Sequence, residues 1–302
     1  MFLGLLASLL FASTDATTTV APDETPITCD HCADWNQPQA PFRIFGNTYY
    51  VGTHGLSSVL IATKEGLILL DGDLPQSVRQ IAGNIKTLGF DVHDVRLILN
   101  SHAHFDHAGG IAALQRISGA NVGASALGAA ALGSGVLPAD DPQFDSGGGT
   151  RFPPVQHVQA LLDRESISLG GTTVTAHYTP GHTPGGTTWT WNSCDKIHCV
   201  EFVYADSLNP VSLGDFRYGD ATRNPTAADV LRQSIAVVRA LRCDAMISVH
   251  PDASGVFDKA AANARDPSKN AFLDSMSCRA YADAADKLLD ERLKEESTSA
   301  AH

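Results

Sequence analysis

The chain has 302 residues, of which 43% are hydrophobic and 18% charged, and this balance excludes an intrinsically disordered chain. Its formal net charge of −12 is spread along the sequence without a basic stripe, which excludes a nucleic-acid-binding surface. The length allows one large domain or two small ones.

Residues 1–12 are apolar, too short a run to span a bilayer comfortably. They read as the core of a secretory signal cleaved near Ala16, although no Lys or Arg precedes them. A buried N-terminal helix is the other reading. No later segment could span a membrane. Residues 17–40 are polar and Pro-rich and read as an extended arm. The expected organisation is therefore a signal over 1–16, an arm over 17–40 and a single domain over 41–302.

Cys29, Cys32, Cys194, Cys199, Cys243 and Cys278 make an even count, which in an exported chain suggests disulfides. Cys194 and Cys199 bracket a short polar turn and could close it. Cys29 and Cys32 form a C-x-x-C without a second such pair to complete a zinc ribbon, so a local disulfide or surface thiols outweigh a redox motif. Periplasmic or secreted localisation is expected.

Residues 42–51 predict a hairpin turning at Gly46-Asn47. Residues 58–62 and 67–70 predict two more strands around Glu65-Gly66. Val78, Ile81, Ala82, Ile85 and Leu88 recur at helical spacing over 77–88, and Gly89 follows as a C-terminal stop. Residues 95–99 form a short apolar run, a predicted buried strand. A helix over 111–117 ends at Gly119. Residues 133–156 are rich in Gly, Pro and Asp and read as a long loop, a length uncommon without a function. Residues 172–178, 187–191 and 200–204 predict strands. Residues 227–241 predict a helix with Val230, Leu231, Ile235, Val238 and Leu241 on one face. Residues 245–249 predict a buried strand, and 270–296 a long amphipathic helix. Strands come in groups with helices after each group, twice. The predicted fold class is α/β, with two sheets face to face and helices outside.

The segment Asn100-Ser101-His102-Ala103-His104-Phe105-Asp106-His107-Ala108-Gly109-Gly110 follows a buried strand and opens a helix. Residues two apart on extended chain point the same way, so His102 and His104 can grip one metal. The turn into the helix re-aims Asp106 and His107, which could reach a second. Buried imidazoles and carboxylates are costly unless paired or metal-bound, which argues against a merely polar loop. Imidazole and carboxylate ligands suit Zn²⁺. His182, in Thr179-Pro180-Gly181-His182-Thr183-Pro184-Gly185, and His250, after Met246-Ile247-Ser248-Val249, each end a strand-like run. Alone, either would read as an ordinary histidine. Beside the first cluster, both read as ligands.

His102-Ala103-His104-Phe105-Asp106-His107 matches the H-x-H-x-D-H signature of the metallo-β-lactamase superfamily. More narrowly, the chain resembles class B β-lactamases of the third subclass over residues 33–290. Trp35-Asn36-Gln37-Pro38, Pro41-Phe42-Arg43-Ile44, Tyr49-Tyr50-Val51-Gly52-Thr53, Ala205-Asp206-Ser207-Leu208 and Ser248-Val249-His250-Pro251 carry that narrower resemblance. It implies a four-layer αββα sandwich with two Zn²⁺ per chain. It assigns His102, His104 and His182 to one zinc, and Asp106, His107 and His250 to the other. Other subclasses place a cysteine ligand near Ser207; none occurs there. Asp71 would orient ligands from behind, or serve simply as a turn or cap residue. The resemblance also implies a Cys243–Cys278 disulfide.

The implied reaction is hydrolysis of the β-lactam amide in penicillins, cephalosporins and carbapenems, conferring antibiotic resistance, with the metals making hydroxide available near neutral pH. Asp106 and water are the candidate proton carriers to the departing nitrogen. Ser207 and Asn209 would bind the substrate carboxylate, although some family members carry Ser or Thr where this chain has Asn209. Trp35 and the loop around Phe152 are candidate cleft walls; packing of the arm and the loop is the equal alternative. The expected partner is a small β-lactam, and the expected state a monomer. Two rivals stand beside this reading. One is a glyoxalase II-like thioester or lactone hydrolase on the same fold, kept in play by Asp206, since such enzymes use a bridging aspartate near that point. The other is a non-catalytic zinc-binding protein, which the complete ligand set opposes.

Overall fold

The structure, a computed structural model, describes residues 20–266 and 268–299, so the expected signal segment over 1–16 lies outside the described residues. Before the first strand, a short helix α1 (Cys32–Trp35) interrupts the expected extended arm. The arm is fastened to the body: Arg116 pairs with Asp23 at 2.7 Å and Glu24 at 2.9 Å, and Ile27 and Gln76 exchange two hydrogen bonds.

Strands β1 (Phe42–Phe45), β2 (Thr48–Tyr50), β3 (Val59–Thr63) and β4 (Gly66–Leu70) form an antiparallel meander. Strands β5 (Val95–Leu99), β6 (Asn121–Ser125) and β7 (Val158–Leu161) continue that sheet in parallel, in the order β1 to β7. Parallel neighbours need crossovers. Helices α2 (Val78–Thr87), α3 (Phe105–Ala108) with α4 (Ile111–Ser118), and α5 (Ala126–Ser134) supply them. The second sheet runs β12-β11-β10-β9-β8, from β8 (Ser166–Leu169), β9 (Thr172–Tyr178), β10 (Thr187–Cys194), β11 (Cys199–Ala205) and β12 (Ala245–Ser248). Only its β11–β12 pair is parallel, joined through α6 (Ala227–Ala240). Helices α7 (Val256–Arg265) and α8 (Ser277–Ser299) complete the chain.

Alternation along the strands sorts the core into layers. Ile68 and Leu70 of β4 face β10 and β11, where Trp189, Trp191, Phe202 and Tyr204 are buried between the sheets. Leu67 and Leu69 face the other way, onto α2 and α4. Val203 and Ala205 of β11 face α6 and α8. Helices thus cover both outer faces, giving the four-layer αββα sandwich. Among the described residues, no helix is long and apolar enough to cross a membrane.

The last helix begins at Ser277, not at residue 270 as the apolar spacing predicts. Asn270 instead donates to the Ile44 carbonyl at 2.7 Å, Leu273 bridges Ala245, and the Asp274 N–H reaches Asp244 O at 2.9 Å. Backbone groups spent on the sheet edge are lost to a helix.

All six cysteines are paired, as Cys29–Cys32, Cys194–Cys199 and Cys243–Cys278. The last bond ties α8 to the segment entering β12 across a sequence separation of 35. Replacing both Cys243 and Cys278 by Ala should lower unfolding stability by about 4 kcal/mol through the freed entropy of the unfolded loop. Urea denaturation followed by circular dichroism reads this as a lower midpoint. An unchanged midpoint would show that the bond constrains nothing.

Candidate metal centre

Strand ends build the site. β4 leads into Asp71, β5 into His102 and His104, β9 into the loop of His182, β11 into Asp206, and β12 into His250. At the C-terminal ends of parallel strands, chain leaves the sheet and side chains can converge. Asp71 adopts a positive φ of 59°, rare outside glycine, and hydrogen bonding holds it there. Its carboxylate accepts from the Ser101 N–H at 2.7 Å, Ser101 Oγ at 2.5 Å, Asn100 Nδ2 at 2.9 Å and Tyr204 OH at 2.9 Å. These four bonds fix the root of the loop that carries His102 and His104. Gly181 sits at φ 131°, and a Cβ there would lie 2.7 Å from Leu231 Cα, so only glycine lets the His182 loop lie against α6.

Ligand atoms of His102, His104 and His182 all fall within 4.8 Å of one another, and so do those of His102, Asp106 and His107. His250 joins the second group, its Nε2 lying 3.3 Å from His107 Nε2 and 3.5 Å from Asp106 Oδ2. The structure thus gathers every histidine and the aspartate singled out as ligands. Four of the five rings have the nitrogen facing away from the centre held. His102 Nδ1 donates to Asp206 at 2.7 Å, His182 Nδ1 to the Asn209 carbonyl at 2.7 Å, His250 Nδ1 to the Gly55 carbonyl at 3.3 Å, and His104 Nε2 lies 3.2 Å from Asp141. The fifth, His107 Nδ1, stands 3.9 Å from Asp71, beyond a hydrogen bond. The opposite nitrogens aim inward, and His102 Nε2 is buried with no partner at all. A buried unpartnered nitrogen is costly unless a cation takes its lone pair. Imidazole and carboxylate donors in this arrangement fit a borderline metal such as zinc.

Electrostatics follow the same logic. Burial, aided by the neighbouring His104, pushes His182 down to about 3. Burial, then His107, also holds His102 well below the ordinary range. Burial alone would lower His107, but Asp106 at 3.3 Å and then Asp71 prevail, and it rises to about 9. Burial opposes ionisation of Asp106, yet His107 and His250 hold its carboxyl well below the usual range.

Little in the sequence marks Asp206, Asp141 and Gln143 as supports of the histidine rings. Asp206, which keeps the glyoxalase-like reading in play as a bridging ligand, lies behind His102, on that ring's outer nitrogen. The unusual length of the 133–156 loop was the one signal for Asp141 and Gln143. Ser207 is buried, its Oγ accepting from the Asn209 N–H at 3.4 Å, while the Asn209 side chain is exposed. The Trp35 ring lies 5.5 Å from that of His250 and so flanks the site. Phe152 does not wall the cleft; it is buried in the layer beneath α4 and α5, and Gln143 is the loop residue that faces the centre.

An α/β sandwich with paired ligand groups at its strand ends defines a class of metalloprotein, and comparison narrows it. The family model for the metallo-β-lactamase superfamily matches residues 51–199. Among solved structures, the chain is similar to Rm3 metallo-β-lactamase at 49% identity and a TM-score of 0.86, covering 89% of this chain and 99% of that one. It is similar to MEM-A1, a subclass B3 metallo-β-lactamase from a soil metagenome library, at 48% identity and 0.84, covering 88% and 100%. A hydroxyacylglutathione hydrolase of Anaeromyxobacter dehalogenans (strain 2CP-C) is 31% identical over 157 residues, 52% of this chain; the chain spans about half, 47%, of that curated relative. The chain belongs to the metallo-β-lactamase superfamily and, within it, to subclass B3.

The depressed histidines set a pH dependence for the metal-free protein. An unfolded imidazole takes a proton near 6.5, whereas folded His182 takes it only near 3, so stability is lost as pH falls through that window. His107 does not offset this, because its raised value contributes fully below 6.5 and is lost only toward 9. Asp73, raised to about 7 by burial, works in the opposite sense and gains stability as pH falls below that value, so the histidine contribution is read as a difference. Between about pH 7 and about pH 5, chelated wild type should lose about 2 kcal/mol more than chelated His182→Ala. Urea midpoints of the two across that range check this, and parallel profiles would contradict it.

Proposed function

We propose that this protein hydrolyses the β-lactam amide bond of penicillins, cephalosporins and carbapenems, using two zinc ions. The observation that carries the proposal is the adjacency of the ligand sets to small neutral donors. Ser207 and Asn209 share a cavity of about 350 Å³ with His250 and Asp252, which sets two small neutral side chains beside one ligand of the second group. Similarity to subclass B3 structures over nearly their whole length supports it.

His102, His104 and His182 would hold one zinc; Asp106, His107 and His250 would hold the other. Bound zinc supplies hydroxide near neutral pH and polarises the lactam carbonyl. The protein's own groups do the rest. The Ser207 hydroxyl and the Asn209 amide donate to the substrate carboxylate. Trp35 flanks the cleft beside His250. Asp106, kept ionised by its histidine neighbours, can accept a hydrogen bond from water and orient it, and the proton for the departing nitrogen comes from that water directly or by way of Asp106. Asp206 holds the tautomer that leaves His102 Nε2 free for metal. No side-chain nucleophile is required, so serine-directed inhibitors should fail. Export to the periplasm or beyond belongs to the same reading, since the paired cysteines suit an oxidising compartment.

Purified protein saturated with zinc should carry about two ions per chain by elemental analysis, open a penicillin and a carbapenem, and be stopped by chelators. A lactone and a glutathione thioester belong in the same panel. Good turnover of either, with every β-lactam left intact, would transfer the assignment to the glyoxalase-like hydrolase. His182→Ala should cut kcat/KM at least about 100-fold while the fold persists, because it removes a ligand rather than a packing group. Near-normal turnover would mean the ligand set is drawn wrongly.

A further inference from the structure

Asp141 is a buried carboxylate with an unusual set of contacts. Its side chain has no solvent exposure, and among the described residues its only ion-pair partner is His104. Both its oxygens approach the outer nitrogen of that ring, at 3.2 and 3.3 Å from Nε2. Oδ1 also accepts the Gln143 N–H at 2.8 Å. His104 is thereby left to offer Nδ1 to the centre.

The segment carrying Asp141 has its ends sunk in the core through Leu137, Phe152 and Val155, while residues 145–151 are largely exposed. Between those anchors Phe144 packs partly buried against the same core and Pro142 is buried, while the polar ties are few. Pro142 O accepts the Leu213 N–H at 2.9 Å, and Asp141 meets His104. The Gln143 Nε2 lies 3.4 Å from His104 Nδ1 and 3.3 Å from His182 Nε2. Those nitrogens carry the lone pairs a cation would take, so the amide and the cation compete for them.

We propose that Asp141 is a positioning residue that couples the placement of the 138–151 segment to retention of metal by His102, His104 and His182. The inference rests on the metal-centre part of the reading above and is independent of the β-lactam part. A cation on Nδ1 fixes the proton on Nε2 and strengthens its bond to Asp141, which fastens the segment. In return, Asp141 fixes the tautomer and orientation of the ring and raises its strength as a ligand. Linkage makes the two effects equal. Gln143 yields its contacts when the cation arrives, and Asp141 becomes the tie that keeps the segment beside the centre.

The test uses the full chain, as wild type, Asp141→Asn and Asp141→Glu. Zinc affinity is measured by competition with a chromophoric chelator, ligand geometry by the visible spectrum of the Co²⁺-substituted protein, and loop order by hydrogen exchange of peptides spanning 138–151 with and without zinc. Asp141→Asn should weaken zinc about 10- to 100-fold, shift the cobalt bands and abolish zinc-dependent protection of the segment. Asp141→Glu, which keeps the charge, should recover part of each. Wild-type affinity and spectrum in a folded Asp141→Asn chain would overturn the proposal, as would weakened zinc with undiminished zinc-dependent protection. Wild-type protein alone is decisive if the variants do not fold, because zinc must slow exchange in 138–151 and an unchanged rate refutes the coupling. Loss of all β-lactam turnover with these readouts as expected would sink the proposed substrate and leave this coupling standing.

Discussion

One buried carboxylate organises the centre. Asp71 ends β4, accepts from Asn100 and Ser101 at the end of β5, and accepts from Tyr204 of β11 in the opposite sheet. Three strands from two sheets are thereby locked at the level where the ligands emerge. The arrangement demands a left-handed backbone at a residue with a Cβ, and the four donors stabilise it. Trp189 adds a second fastening between the sheets, its Nε1 donating to the Asn100 carbonyl at 3.1 Å. The loop of His102 and His104 starts from a root held by both sheets.

The centre is also where the fold accepts an unfavourable arrangement. Five imidazoles crowd together, with ring centroids of His102 and His107 only 4.3 Å apart. Protonating them together would be repulsive, and burial keeps His102 and His182 neutral instead. Neutral rings with lone pairs turned inward gain little for the empty fold and much for a bound cation. Local conflict of this kind marks a functional site, and the surrounding apolar layers compensate for it.

Supports for the rings come from distant parts of the chain. Asp206 follows β11, Asp141 sits in the long loop after α5, and the Gly55 and Asn209 carbonyls belong to two further loops. Each fixes one tautomer and one ring plane. Ligand geometry is therefore spread over most of the molecule, although four of the six ligand residues lie within residues 102–107.

Much of the fold was legible in the sequence because local pattern and tertiary role agree there. The apolar run of residues 67–70, helical spacing in 77–88 and the glycine stops at 89 and 119 all recur in the structure. Strand β6 was not foreseen, since Asn121-Val122-Gly123-Ala124-Ser125 has weak strand preference and forms by pairing between β5 and β7. Helix α5 is rich in Ala and Gly without an amphipathic stripe, so its spacing carries no signal. The cluster from His102 to His107 was readable because ligand chemistry and spacing coincide within six residues. What the sequence determined by itself was the part of the donor set within residues 102–107, the layered α/β pattern and the cysteine supply, all of them carried by neighbours in the chain. Which nitrogen of each ring faces inward, and the roles of Asp141, Gln143 and Asp206 around them, were decided only by tertiary structure, because a hydrogen bond between residues 104 apart depends on where two sheets meet and leaves no local trace.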